Sequence, residues 1–276
     1  MPSYDVYEMI KPDKEIRKGK IKRISKKVFV TGFIIFSMVV LAVIYWFFFI
    51  KPSILNARES KAISNIINEV DISEVPEEQT VGKSERQIKV SELKGQYSNL
   101  VGWIKIEGTN IDYPVMQWTD NEHYLKYSYD GSQSKLGSIY MHKDVDVNKP
   151  SANFIIYGHN ITTGVMFNEL LNYKKQAFYN DHKIIEFTTE NKDAKYEIVS
   201  VFISKVYNQN ENVFKYYSFI DTNKESEYND YIANVKRLSL YNTGVDAKFG
   251  DQLITLTTCE YSQKNGRIVI VAREMK

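Results

Sequence analysis

Internal disulfides are excluded by composition, because the 276 residues contain a single cysteine, Cys259. Stability must come from a packed core, which a chain of this length can bury unaided. Net charge is nearly absent as well: 36 Lys and Arg stand against 34 Asp and Glu. That balance removes the electrostatic case for nucleic-acid binding. Metal signatures are missing. There is no His-Glu-x-x-His and no Cys-x-x-Cys, only four scattered histidines, His123, His142, His159 and His182. We therefore expect no metal and no cofactor. No Gly-rich phosphate loop occurs. Asp144 and Asp146 of "HKDVDVNK" read as solvated loop acids, not as the carboxylate pair of glycoside hydrolysis.

One absence is local. Residues 28–50, "VFVTGFIIFSMVVLAVIYWFFFI", hold no charge over 23 positions. At about 1.5 Å per residue, this run can cross a hydrocarbon layer of roughly 30 Å. Nine Lys and Arg precede it against four acids, so residues 1–27 are expected in the cytoplasm and the chain beyond 51 outside. Tyr45 and Trp46 sit near the outer end, where aromatic anchors belong. A cleaved signal peptide fits less well, since its apolar region usually spans about 7–15 residues and ends in small ones. This run ends in "YWFFFI". A buried core helix also fits poorly, given an all-round apolar surface beside a basic block. The expectation is an uncleaved, single-pass signal anchor. Cys259 then lies outside the cell, where thiols tend to be oxidised and an odd cysteine points to intermolecular pairing or a reactive thiol.

Residues 51–90 are polar and include "EVPEEQTVGKSERQ". They read as an extracellular stalk that opens with an amphipathic helix, its apolar residues Ile54, Ala57, Ala62, Ile63, Ile66 and Ile67. Pro76 is expected to break the chain before the compact domain. Ser91, followed three positions later by Lys94, forms no capping box. From 91 to 276 the pattern becomes dense. Eight strand-like runs appear at 102–106, 111–116, 137–141, 153–158, 183–187, 195–204, 251–259 and 267–273, rich in Ile, Val, Tyr and Phe. Helical spacing appears at 166–173 and at 222–239, where Tyr228, Tyr231, Ile232, Val235 and Leu238 share a face. The fold class is mostly β with peripheral helices, a barrel or sandwich.

Chemistry centres on Cys259. In "QLITLTTC" alternation puts Leu253, Thr255, Thr257 and Cys259 on one face, with the thiol at a strand end near the expected barrel mouth. Packing is the ordinary use of a cysteine; a sole exported one raises the reactive alternative to equal standing. A free thiol has a pKa near 8.5, so a nucleophilic role needs help, commonly from histidine. His123, His142 and His182 sit in loop-like sequence. His159 differs: the apolar run "NFIIYG" ends just before it, which puts an imidazole on the rim of a sheet. Arg267 opens the run "RIVIVAR", and "SQKNG" before it is turn chemistry. A hairpin there brings Arg267 and Cys259 to one groove, where a guanidinium can stabilise an oxyanion; a plain surface arginine is the alternative. Sole cysteine, rim histidine and hairpin arginine together point to a thiol acyltransferase.

These residues also resemble a known family. "TLTTC" followed by Arg267, with "YGHN" upstream, is similar to the signature of the sortases, cysteine transpeptidases of Gram-positive cell surfaces. Thr255, Leu256, Thr258 and Cys259 fit the pattern Thr-Leu-x-Thr-Cys. "VGWIKIEGTNIDYPVMQ", "GSIYM", "MFNELLNY", "HKIIEF" and the helix before the cysteine strand resemble the class B branch from about 90 onward. The resemblance implies an eight-stranded sortase-type β-barrel over 91–276, preceded by a cytoplasmic segment (1–27), a transmembrane anchor (28–50) and a stalk (51–90). It implies His159, Cys259 and Arg267 as the catalytic triad. It implies as partners surface proteins with a C-terminal sorting signal of the Asn-Pro-x-Thr-Asn or Gly type, and a peptidoglycan precursor amine as acceptor. Thr257, next to the motif on the cysteine face, is a candidate substrate contact. The segment 123–135 does not match closely enough to carry over contacts. Two rivals remain: an L,D-transpeptidase-like acyltransferase, for which "LTTCEY" lacks the Ser-x-Gly-Cys glycine, and a membrane-tethered binding module with an inert cysteine.

Overall fold

The computed structural model describes residues 26–73, 75–149 and 151–276; the expected cytoplasmic segment, apart from Lys26 and Lys27, lies outside them. The chain divides into two units, Met1–Ile50 and Lys51–Lys276. In the first, helix α1 (Lys26–Tyr45) continues through one π-helical turn (Trp46–Ile50), and protein buries none of these residues. By length and composition this helix can cross a membrane.

The second unit opens with three helices, α2 (Lys51–Asn65), α3 (Glu77–Thr80) and α4 (Glu85–Gln96). Within 51–90, the region expected as a stalk, Ile63, Ile66, Ile67 and Val90 are buried. Helix α4 starts at a capping box of the Ser-x-x-Gln pattern, Ser84 with Gln87, seven residues before the Ser91 considered in the sequence. Ser84 accepts from the Gln87 amide, and the Gln87 side chain returns a bond to the Ser84 amide. Ser91 lies inside that helix.

The remaining elements are β1 (Leu100–Lys105), β2 (Asp112–Met116), β3 (Ile139–Met141), β4 (Asn153–Tyr157), β5 (Asn160–Ile161), β6 (Val165–Met166), α5 (Gln176–Asp181), β7 (Ile184–Thr188), β8 (Asp193–Lys205), α6 (Glu225–Leu238), β9 (Leu253–Cys259) and β10 (Gly266–Glu274). Eight strands close a barrel in the order β1-β2-β3-β4-β9-β10-β8-β7, while β5 and β6 form a separate small hairpin. The β2–β3 and β4–β9 pairs are parallel and the others antiparallel. All eight expected strands are barrel strands, displaced by one or two residues at their ends. The expected helix at 166–173 is a 3-10 helix, Asn168–Lys174.

Alternation along each strand builds two layers. Inward residues such as Val115, Ile156, Ile198, Leu256 and Ile270 form the barrel core. Outward residues of β8, β9 and β10, among them Phe202, Leu253 and Val269, form a second cluster under α6. That helix buries Tyr228, Tyr231, Ile232 and Val235, an i, i+3, i+4, i+7 stripe. Each contributes roughly 1.5–3 kcal/mol of apolar transfer before entropy. Acids in its first turn and bases in its last complement the helix dipole. The functional consequence is that the outer face of β9 is roofed along most of its length and opens only at the Cys259 end.

Candidate active site

The barrel brings three distant residues into one row. On one side of β9, β10 runs antiparallel with Arg267 opposite Cys259. On the other side β4 runs parallel, with Tyr157 level with Thr257. Continuing that register by two residues sets His159 level with Cys259. Bonds past the strand end maintain it: Gly158 N donates to the Thr257 carbonyl at 3.3 Å, and Thr258 Oγ1 donates to the Gly158 carbonyl at 2.7 Å. Asn160 Nδ2 donates to the Cys259 carbonyl at 2.8 Å. Adjacent strands lie about 4.8 Å apart, so the backbones of His159, Cys259 and Arg267 run level across the barrel wall. All three residues are half-buried, as expected of groups at a rim. Cys259 shares the outward parity of Leu253 and Val269, so the row faces the outside of the barrel wall and not its lumen.

Each side chain has a local support. His159 Nε2 lies 2.8 Å from the Leu125 carbonyl. A carbonyl only accepts, so Nε2 carries hydrogen and Nδ1 is the nitrogen left for proton exchange. Leu125 ends a 3-10 turn, His123–Leu125, inside the segment for which the sequence offered no contacts. Arg267 donates from Nη1 to the Gly266 carbonyl at 2.8 Å. Among the described residues its protein bonds all leave from Nη1, so Nε and Nη2 can meet a ligand. The hairpin between β9 and β10 closes through Glu260 N to the Gly266 carbonyl at 3.0 Å, with Asn265 in the left-handed region at φ 57°. Burial pushes the Glu260 carboxyl up, but hydrogen bonds from Lys174 and Ser262 outweigh it and hold the group below the usual carboxylate range.

Glycines hold the histidine loop. A Cβ on Gly158 would sit 2.5 Å from Ile139 Cδ1 and 2.7 Å from the Phe167 ring. Gly137 has φ 61°, and a Cβ there would lie 2.4 Å from the Tyr124 carbonyl oxygen and 3.1 Å from His159 Cδ2. Gly137→Ala is therefore expected to destabilise the domain by about 2 kcal/mol or more. Because the clash pushes on the turn that holds His159, it should also lower activity in molecules that remain folded. Urea unfolding and a turnover assay on the same sample check both halves.

The other histidines stand apart from the row. His123 is stacked between Trp118 and Tyr127, with ring centroids 4.2 and 4.5 Å away. His182 Nδ1 bonds the Glu107 carbonyl at 3.0 Å. His142 Nδ1 accepts the Asp144 amide at 3.2 Å, and burial pushes the pKa of this imidazole down. Thr257 does lie on the Cys259 face but is 1% exposed. Its hydroxyl donates to the Ile268 carbonyl at 3.0 Å and pairs with Tyr216 Oη, also at 3.0 Å. A direct ligand contact would require that pair to open; as it stands, Thr257 braces the strand behind the thiol. Sequence reasoning assigned no role to Tyr140 or Tyr216. Burial pushes the Tyr140 hydroxyl well above its usual range, and Arg267 and Cys259 both lie within electrostatic reach of it. Tyr216, on the 3-10 turn Tyr216–Ser218, closes the outer face beside Thr257. No alternation signal marks either residue, because both act across the fold.

Comparison with known proteins agrees with this arrangement. The profile of the sortase domain family matches residues 104–275. Sortase B of Staphylococcus aureus is 36% identical over 180 residues, 64% of this chain and 71% of that protein. Sortase B of Listeria monocytogenes is 31% identical over 186 residues, 66% of this chain and 72% of that protein. Among solved structures, a Staphylococcus aureus sortase B–substrate complex superposes with a TM-score of 0.67 at 28% identity, covering 80% of this chain and 97% of that one. With a matching profile over most of the barrel, two relatives above 30% identity and the same eight-stranded closure, the chain belongs to the sortase family, where it is a transpeptidase of class B.

Proposed function

We propose that this transpeptidase cleaves a C-terminal sorting signal after threonine, holds the acyl group as a thioester on Cys259, and transfers it to an amine of a peptidoglycan precursor. The observation that carries this reading is the single row of His159, just past β4, with Cys259 of β9 and Arg267 of β10. The Cys259 thiolate attacks the threonine carbonyl. Arg267, through its uncommitted Nε and Nη2, bonds the oxygen as negative charge develops on it. His159 gives its proton to the leaving amine and later takes one from the incoming amine, so the two half-reactions balance. A half-buried cysteine at the end of its strand supports a reactive group over an inert packing cysteine.

The substrate is read as a surface protein with an Asn-Pro-x-Thr-Asn or Gly type signal; that a related sortase B is known as a substrate complex supports a peptide substrate. The apolar helix α1 supports a single-pass anchor, with residues 1–27 inside the cell and the catalytic domain outside.

The test uses the full-length protein with a panel of fluorogenic sorting-signal peptides, with and without oligoglycine or a diaminopimelate-type amine, and reads products by mass. Cleavage after threonine with an amine-ligated product is expected. Failure to cleave any peptide, with the thiol still readily alkylated, would move the enzyme to another cell-wall acyl donor. Arg267→Lys should lose about 100-fold in kcat/KM while unfolding at the parent's urea concentration, because an ammonium cannot reproduce the guanidinium fork. Near-normal turnover in that variant would remove the oxyanion role.

A further inference from the structure

The β5–β6 hairpin holds the backbones of both His159 and Cys259. Just past β6, Phe167 N donates to the His159 carbonyl at 3.0 Å, and Asn160 on β5 reaches the Cys259 carbonyl. Asn168 Nδ2 donates to Asn160 Oδ1 at 2.6 Å, which fixes the way that amide faces. Across the hairpin Asn160 pairs with Met166. Met166 is the exception in this region. Its φ is 58°, in the left-handed region that non-glycine residues rarely occupy, and it is 1% exposed. Such a conformation persists only when its surroundings enforce it.

Those surroundings are polar and specific. The fully buried Tyr113 of β2 accepts the Met166 amide on its hydroxyl at 3.2 Å. The same hydroxyl shares a 2.6 Å hydrogen bond with Ser60 Oγ of α2, itself buried. A second contact from α2 braces the hairpin turn: Asn56 Nδ2 donates to Thr163 Oγ1 at 3.2 Å. Filling this volume requires only a phenyl ring. The hydroxyl adds a polar atom that must be satisfied inside the protein, and its partners are Ser60 and Met166.

We propose that Tyr113 and Ser60 are positioning residues for catalysis: helix α2, through the Ser60–Tyr113 pair, holds Met166 in its left-handed turn and so sets where the hairpin presents His159 beside Cys259. This rests on the reading of His159 as the proton donor. Without the hydroxyl, the Met166 amide loses its buried partner, and the residue relaxes out of the left-handed region. Phe167 moves with it, and so does the His159 backbone. Proton delivery to a leaving amine is sensitive to shifts well under an ångström, whereas peptide binding is much less so.

The test compares Tyr113→Phe, Ser60→Ala, the double variant, Ser60→Thr and His159→Ala in the full chain, measuring kcat and KM for peptide cleavage together with urea midpoints. Tyr113→Phe is expected to lower kcat about 10-fold with KM within about twofold. Ser60→Ala should lower kcat about threefold, and the double variant should be no worse than Tyr113→Phe, since both cut the same chain of contacts. Ser60→Thr, which keeps the hydroxyl, should retain the parent kcat. A merely structural role moves the urea midpoint and leaves the kcat of folded molecules alone. Unchanged kcat in Tyr113→Phe, beside an inactive His159→Ala, overturns this proposal and leaves the transpeptidase reading standing. A double variant whose losses multiply also overturns it. Should Tyr113→Phe fail to fold, the contrast between Ser60→Ala and Ser60→Thr decides the question alone. A His159→Ala that keeps its kcat removes the proton-donor assignment, and this proposal falls with it.

Discussion

Cys259→Ala is expected to bring peptide cleavage and transfer down to background, a loss of roughly 10⁴-fold or more. That corresponds to about 5.5 kcal/mol of transition-state stabilisation. On the proposed mechanism no thioester forms without the thiol, and Arg267 alone can only polarise a bond that water attacks slowly. The fold should barely register the change. Cys259 is half-buried at the last position of β9, and its backbone carbonyl, not its sulfur, receives the bond from Asn160. A shift in unfolding free energy of about 1 kcal/mol or less is expected for such a truncation. Single-turnover mass spectrometry provides the sharper check, because the parent should accumulate a thioacyl adduct on Cys259 when no amine is present. Cleavage by the alanine variant at more than a hundredth of the parent rate would end the nucleophile assignment.

His159→Ala should lower kcat by about 10²–10⁴-fold, the range for removing a positioned general acid. Among the described residues the ring's one protein bond, Nε2 to the Leu125 carbonyl, lies at a half-buried rim, where water can replace it. Stability should therefore hold while turnover collapses. His142→Ala is the internal control. That ring is disfavoured in its charged form by burial and stands just past the end of β3, next to Tyr157 at 5.9 Å between centroids. It should change kcat by less than about threefold. If the collapse occurs in His142→Ala and not in His159→Ala, the proton donor has been misassigned.

The elements that were legible in the sequence are those whose signal is local. Strands such as "LITLTTC" and "RIVIVAR" show dense β-branched and apolar content over seven residues, bounded by turn residues. The stripe Tyr228, Tyr231, Ile232, Val235 shows helical spacing. The β5–β6 hairpin left no such trace, because strands of two residues hold no period to read. The start of α4 was missed for a different reason. Its capping box, Ser84 with Gln87, lies in a charged stretch that resembles a linker until its apolar face meets the barrel. The same holds for Ile66 and Ile67, which look like one side of a solitary helix and are in fact buried.

Within the candidate site the division is similar. By itself, the sequence determined which residues had the right chemistry: the only thiol, a histidine at the end of an apolar strand, and an arginine one hairpin away. The Cys259–Arg267 pairing was also readable, since a short turn with Asn265–Gly266 joins their strands. Only the tertiary structure decided that His159 stands on the other side of Cys259. That placement comes from the parallel β4–β9 pair, a contact between segments a hundred residues apart that no local pattern encodes. It also decided the standing of Thr257. Alternation placed this residue correctly on the Cys259 face, but whether that face meets solvent or protein depends on where the chain after β8 folds back. Tyr216 comes from that connection and takes the Thr257 hydroxyl, because a buried hydroxyl must find a partner inside the protein.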